Sequence, residues 1–430
     1  MTDTKSAPNL EFFEDLIREF GSSYQRELLN KIEKNEITYT TGKIPIGIEK
    51  FTNKIIKIDV SEAVRMLILG LVRVGKTWLV RSLADRLRKA DCVTTFIPDI
   101  KNEFQSSKEP VQKKFHKYLL DGEKPQGFKI LSLRPSFFLG HSQTKQPLPN
   151  CVWYSPDIQM VSPGDIKTLL GYDDIVGIQR SAVDVLVTRL DQLKQKGFVL
   201  KDITQINDLV DNLPDEFVET TKRSLKLKFL PIIQGKFFMD KYWIDIVQAI
   251  NDGYSPALVL QDFEVLGRDV KQGYYSVIIS MILREINSAI RHRKIKKRVW
   301  HFVDEASRVL PNNRDPSCKL DIMESVDLDA RYGINYCFAT QSIHKFPSDI
   351  VSQCRYIFLP QGFSAQDTKD IFRSMGNVRS IYTASQEVNT LLRNLNKHEW
   401  LMIDRLATGR KHRIFRPLAP LSKHSETIGH

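Results

Sequence analysis

Residues 64 to 103 confine the chain to a small set of folds. Val64 to Leu69 is a short apolar run, Trp78 to Leu87 keeps an apolar face at helical spacing, and Cys92 to Ile97 is a second apolar run. Strand, loop, helix and strand in that order make a βαβ unit, the signature of a parallel sheet. The loop ahead of the helix reads Gly70, Leu71, Val72, Arg73, Val74, Gly75, Lys76, Thr77, which fits GxxxxGK[ST]. A loop of this kind turns backbone N–H groups and the positive end of a helix toward one point, which suits phosphate. Lys76 would neutralise the outer phosphates of ATP and Thr77 would offer its hydroxyl to Mg²⁺, with Gly70 to Trp78 lining the nucleotide. Arg73 stands where many such loops carry glycine, at a cost if the backbone there needs positive φ. A chance match is the competing reading, and the strand–loop–helix context works against it.

A second signal lies more than two hundred residues on. Val299 to Val303 is a compact apolar strand that ends in Asp304 and Glu305. The C-terminal end of a parallel strand is the usual ligand edge of such a sheet. There Asp304 is placed to hold Mg²⁺ through water, and Glu305 to polarise an attacking water as general base. By itself an Asp-Glu pair also reads as a solvated turn; in one α/β chain with the phosphate loop it becomes a strong sign.

The rest of the chain fits one α/β core with an insertion. Short strands are expected at Thr38 to Thr40, Ile44 to Ile48, Ile55 to Val60, Ala257 to Leu260, Asn335 to Ala339 and Tyr356 to Leu359. Phe12, Phe13, Leu16, Ile17 and Phe20, then Leu28, Leu29 and Ile32, recur at helical spacing, so residues 9 to 34 are expected to be helical. Residues 104 to 160 read as irregular. Residues 162 to 235 read as mostly helical, with Ile178 to Leu193 strongly amphipathic and Pro214 to Leu230 a second segment; a helix is expected near 270 to 292. The expected division is a helical segment over 1–43, core over 44–103, a largely helical insertion over 104–250, core over 251–418 and a tail over 419–430.

Charge and cysteine usage narrow the setting. The 63 basic residues outnumber the 51 acidic ones, for a formal charge of +12, and such an excess favours polyanions such as nucleic acid without proving it. The densest patch comprises Arg291, His292, Arg293, Lys294, Lys296, Lys297 and Arg298. It reads as a DNA-phosphate contact or, with more weight, as a solvated loop; the Lys-rich stretches between 108 and 145 are equal candidates. Cys92, Cys151, Cys318, Cys337 and Cys354 are scattered, without a CxxC pair, and read as small hydrophobes. No apolar run reaches the roughly 20 residues of a membrane helix, and Met1 to Pro8 lacks the apolar stretch of a signal peptide. A cytoplasmic protein with no membrane insertion is expected.

With these residues in view, the chain resembles the HerA/FtsK group of P-loop ATPases. Three further stretches carry the likeness: Ile44, Pro45, Ile46 and Gly47 ahead of the loop; Asp99, Ile100, Lys101, Asn102 and Glu103, similar to an Asp-Pro-Lys-Gly-Glu element; and Ala339, Thr340 and Gln341 closing a strand. The likeness spans roughly residues 44 to 362. It implies a RecA-like α/β core with a mainly parallel sheet and a hexameric ring that hydrolyses ATP between subunits and moves along double-stranded DNA. It implies that Gln341 senses the γ-phosphate and that Arg331 is supplied to the next subunit's ATP, with Arg355 and Arg373 as rivals. It also implies a nuclease partner of the NurA type. That partner docks on an N-terminal barrel, and the roughly sixty residues before the first core strand are not expected to complete one. By the same analogy the basic stretch from Gly409 to Pro417 packs across a neighbouring subunit. Repair, conjugative transfer and packaging are not separable. A P-loop signalling switch that moves no DNA, and an inactive structural relative, are the alternatives; intact Lys76, Asp304 and Glu305 speak against the second.

Overall fold

The computed structural model describes residues 42–71, 74–137, 151–234, 237–239, 243–261, 268–363, 365–374, 381–407 and 412–423. The helices expected over 9–34 and the strand at Thr38 to Thr40 lie outside the described residues. Twelve strands form one sheet: β1 (Lys43–Glu49), β2 (Ile55–Asp59), β3 (Arg65–Leu69), β4 (Val93–Asp99), β5 (Ile130–Pro135), β6 (Cys151–Tyr154), β7 (Ser255–Val259), β8 (Val299–Val303), β9 (Ile334–Thr340), β10 (Tyr356–Pro360), β11 (Trp400–Asp404) and β12 (His412–Pro417). Their spatial order is β2-β1-β12-β11-β10-β3-β9-β8-β4-β7-β5-β6. From β10 to β6 every neighbouring pair is parallel. From β10 back to β2 every pair is antiparallel.

The central strands are apolar because both faces of the sheet are covered. Along β3, Met66 and Ile68 belong to one core while Leu67 and Leu69 belong to the other, as the two-residue alternation of a strand requires. Helix α1 (Lys76–Lys89) covers the first face, setting Leu79, Val80, Leu83 and Leu87 among Phe96, Trp300, Phe302 and Trp400. The second face is covered by α2 (Pro163–Leu169), α3 (Gly177–Gln195), α4 (Glu219–Gln234), α5 (Arg268–Arg291) and α6 (Ser317–Leu328). Two shorter-range helices, α7 (Ala365–Ser374) and α8 (Ile381–Arg393), pack on each other between β10 and β11.

Three stretches differ from the sequence expectation. Residues 104 to 160, expected to be irregular, supply β5 and β6, which extend the parallel sheet beyond β7. Arg134 and Trp153 stand in these strands, with the guanidinium 4.4 Å from the indole centroid, so a buried charge interrupts the apolar pattern. The basic stretch from Gly409 to Pro417, expected to pack across a neighbouring subunit, supplies over His412–Pro417 the strand β12, paired with β1 and β11 of its own sheet. Ile414 and Phe415 are buried there, and the flanking basic residues masked a strand. Residues beyond β12 also stay on their own chain: Ala419, Leu421 and Ser422 are buried. All five cysteines are free, four of them buried. Among the described residues no helix is long and apolar enough to cross a membrane.

Candidate functional site

Because β4, β8, β9, β3 and β10 run parallel, their C-terminal ends share one edge, where ligands of such sheets bind. Gly70 leaves β3 at that edge and donates its N–H to the carbonyl of Thr340 at 3.0 Å, tying the loop to the end of β9. A Cβ on Gly70 would lie 2.9 Å from Val74 Cγ2, so the loop's close return needs glycine there. Gly75 takes φ 91 and ψ 20, a left-handed conformation that glycine enters at no steric cost, and α1 starts at the next residue. The first turn of α1 has no acidic residue to compete for an anion. Leu71 is exposed, and Val74, Thr77 and Trp78 are half-buried; the Trp78 ring meets Phe115 edge-on at 4.9 Å. Val72 and Arg73 lie outside the described residues.

The acidic pair converges on this loop. Lys76 Nζ is 3.5 Å from Glu305 Oε1 and 3.9 Å from Asp304 Oδ1. It is buried and hydrogen-bonds to nothing among the described residues. A buried ammonium without a hydrogen bond is costly unless an anion completes it. Burial pushes the Asp304 carboxyl above its ordinary value; Lys76 opposes the rise, and Glu305 adds to it. Glu305 sits at φ 47 and ψ 45, and its N–H donates to Asp304 Oδ1 at 2.9 Å. Gln341, one residue past β9, donates from Nε2 to Glu305 Oε1 at 2.6 Å.

The Asp99–Glu103 stretch does something more local. The Asp99 carboxylate accepts the N–H groups of Glu103 and Phe104 at 2.9 and 3.1 Å, capping the turn Phe104–Lys108. Burial pushes its carboxyl up to about 7, although the two N–H groups pull the other way. Glu103 and Asp304 add to that rise, which gathers all three carboxylates at the same strand ends.

The other predicted residues lie elsewhere. Arg331 is exposed on the turn Asp329–Tyr332, ahead of β9, with its guanidinium 4.9 Å from the Tyr332 ring centroid. That is the sheet edge opposite the loop: the seven residues of β9 at about 3.3 Å each separate it from Gln341 by roughly 20 Å. Arg355 pairs with Asp404 at 3.4 Å and Glu62 at 3.5 Å, and Arg373 with Asp370 at 3.1 Å. The basic run before β8 also lies on that far edge, and part of it is structural. Arg291 grips Asp329 through two bonds of 2.7 Å, Lys297 pairs with Asp91, and buried Arg298 donates to the Val60 carbonyl.

One set of contacts behind the loop was not visible in the sequence. Arg81, fully buried on α1, donates to the Glu103 carbonyl and to the Ser106 and Ser107 hydroxyls at 2.8 to 2.9 Å, and also to the Lys423 carbonyl. Burial lowers its pKa to about 10. Asp85 accepts the N–H and hydroxyl of Ser422, each at 2.8 Å, and Arg86 donates to the Ala419 carbonyl at 3.0 Å. The helix behind the phosphate loop is therefore clamped to residues 103–107 and 419–423. Four charged residues within one helix, Arg81, Asp85, Arg86 and Arg88, were the available signal: charges on a helix that must cover a sheet need partners.

Fold and site define a class: a RecA-like α/β core with a mainly parallel sheet and a P-loop. No protein-family model and no curated protein matches the sequence. Among solved structures it is similar to VirB4 of Thermoanaerobacter pseudethanolicus, with a TM-score of 0.59 at 12% identity, over 87% of this chain and 96% of that one. It also matches the bacterial conjugative coupling protein TrwB (TM-score 0.45, 13% identity, 84% and 88% covered). A third match is B204, the DNA-packaging ATPase of Sulfolobus turreted icosahedral virus (0.36, 11%, 83% and 98%). These are FtsK/HerA-type P-loop ATPases, the group that the sequence motifs resemble, and at these identities the likeness is one of fold.

Proposed function

We propose that the chain is an ATP-driven motor of HerA/FtsK type that translocates double-stranded DNA, working as a hexameric ring in the cytoplasm. The observation that carries this reading is the buried, unbonded ammonium of Lys76, set at a helix N-terminus between two carboxylates. A triphosphate supplies the oxygens that such an ammonium lacks. The same arrangement suits Mg²⁺: Asp304 is a carboxylate whose burial and like-charged neighbour call for more positive charge than Lys76 gives, and the Thr77 hydroxyl opens the same helix. The ion would supply charge neutralisation at the phosphates.

The residues then divide the work. Gly70 to Trp78 cradle the phosphates, Lys76 holds the outer phosphate charge, and Thr77 with Asp304 hold the metal. Glu305 orients and deprotonates the attacking water. Arg331 stands too far from its own loop to touch that nucleotide, which supports delivery to a neighbouring copy. Asp99 and Glu103 hold the strand end on which the acidic pair depends. Exposed Arg293, Lys294 and Lys296, with the Lys-rich stretch near 113 to 117, offer phosphate-backbone grip without sequence reading.

The deciding measurement is ATP turnover with and without linear double-stranded DNA. Stimulation by DNA is expected, with Glu305→Gln lowering turnover by about 10²- to 10⁴-fold and Lys76→Ala abolishing nucleotide binding. Turnover indifferent to DNA would favour a P-loop switch over a motor.

A further inference from the structure

Gln341 follows β9 and Glu305 follows β8, and these strands are parallel neighbours with Val303 opposite Phe338. Two residues further on, Glu305 is level with Thr340, so Gln341 is the next side chain along the edge. The hydrogen bond between them is short, 2.6 Å from Nε2 to Oε1. A carboxylate only accepts, so the NH₂ end of the amide faces Glu305 and the amide oxygen is turned away. Among the described residues this is the one hydrogen bond that the Glu305 carboxylate receives. The same Oε1 lies 3.5 Å from Lys76 Nζ.

We infer that Gln341 is a positioning residue for Glu305 and not a reader of the terminal phosphate, an inference that rests on the ATPase reading above. Lys76 and Gln341 pull on one oxygen. When a phosphate takes the charge of Lys76, Gln341 alone keeps the carboxylate in place. Gln341 is in turn fixed by its chain neighbour, since the Thr340 carbonyl accepts the Gly70 N–H. The base is thereby registered to the phosphate loop through one amide. Without the amide, the carboxylate is free to follow the ammonium, and the water loses its base.

The test is a double-mutant cycle on kcat, with ATP and ADP dissociation constants measured on each protein. Gln341→Ala is expected to lower kcat by about 10- to 100-fold while both dissociation constants stay within about threefold. Gln341→Glu, which meets Glu305 with a second negative charge, should fall at least as far; ADP binding shows that each variant is folded. Because Gln341 acts through Glu305, the pair Gln341→Ala with Glu305→Gln should turn over no more slowly than Glu305→Gln alone. A multiplicative loss in the double variant overturns the inference and leaves the ATPase reading intact. So does a Gln341→Ala protein that keeps its kcat but loses preference for ATP over ADP. A Glu305→Gln protein with unchanged turnover overturns both.

Discussion

Glu305 adopts a left-handed backbone that L-residues other than Asn and Asp rarely enter, at a cost on the order of 1 kcal/mol. Its carboxylate also stands beside Asp304, whose own carboxyl is raised in part by that neighbour. The position is thus unfavourable for folding and is kept where the side chain meets Lys76 and Gln341. Glu305→Gly should raise stability by about 1 kcal/mol while turnover is lost. A higher thermal midpoint without nucleotide, together with inactivity, is the expected pair of results; a lowered midpoint would mean that the side chain's contacts outweigh the strain. The identities of Lys76, Thr77, Asp304 and Glu305 were legible in the sequence because the first two open the helix after a glycine-bounded loop and the last two close a short apolar strand, each within a local motif. The approach of Lys76 to within 4 Å of Asp304 and Glu305 was not, since these residues meet only when β3 and β8 flank β9.

At the scale of elements, β8 is held by a polar network beneath its apolar surface. Buried His301 has Nδ1 at 2.7 Å from Thr95 Oγ1 of β4 and Nε2 at 2.9 Å from Asn287 Oδ1 of α5. Asn287 Oδ1 can only accept, so His301 donates from Nε2 and receives the Thr95 hydroxyl. Asn287 Nδ2 donates to Ser325 Oγ of α6 and to the Tyr336 hydroxyl of β9. Burial lowers the His301 pKa to about 3, so the ring stays neutral in the folded chain. The unfolded chain takes up the proton near pH 6.5, so the stability due to neutral His301 is present above that pH. It is lost as pH falls toward 3, by up to about 1.4 kcal/mol per pH unit. His301→Gln should therefore destabilise most at pH 8, and its penalty should shrink by pH 5.5; urea unfolding at the two pH values reads the difference. A penalty independent of pH would mean that the ring takes up its proton as readily in the folded chain as in the unfolded one. Five- to seven-residue apolar runs made β3, β4, β7, β8, β9 and β10 legible to within about two residues of their ends. β5 and β12 were not, because Arg134 and the basic residues around Ile414 and Phe415 break the pattern, and β6 was not, because its apolar run is only four residues long. Only their neighbours in the sheet make strands of them.

At the scale of the molecule, the sheet has two chemically distinct edges. Lys76, Asp304, Glu305 and Gln341 gather at the C-terminal ends of the parallel strands, and Arg331 with the basic run before β8 lies at the opposite ends. Any role for Arg331 in hydrolysis therefore needs a second copy. Lys76→Ala and Arg331→Ala should each abolish turnover, yet mixed one to one they should recover a measurable part of it, since some interfaces then pair an intact loop with an intact arginine. Failure of the mixture to recover, with each variant folded, would remove Arg331 from the reaction.

The sequence by itself determined the αβ order, the phosphate loop and the acidic pair, because each follows from the period of apolar residues or from a short motif whose chemistry is local. The tertiary structure alone decided that Asp99 caps a turn, that Gln341 grips Glu305, and that Arg81 and Asp85 clamp residues 103–107 and 419–423 to the helix behind the loop. It also decided that the basic stretch near residue 412 is an inner strand. These outcomes depend on which strands become neighbours, and strand order in a sheet is settled by non-local packing that no stretch of sequence carries alone.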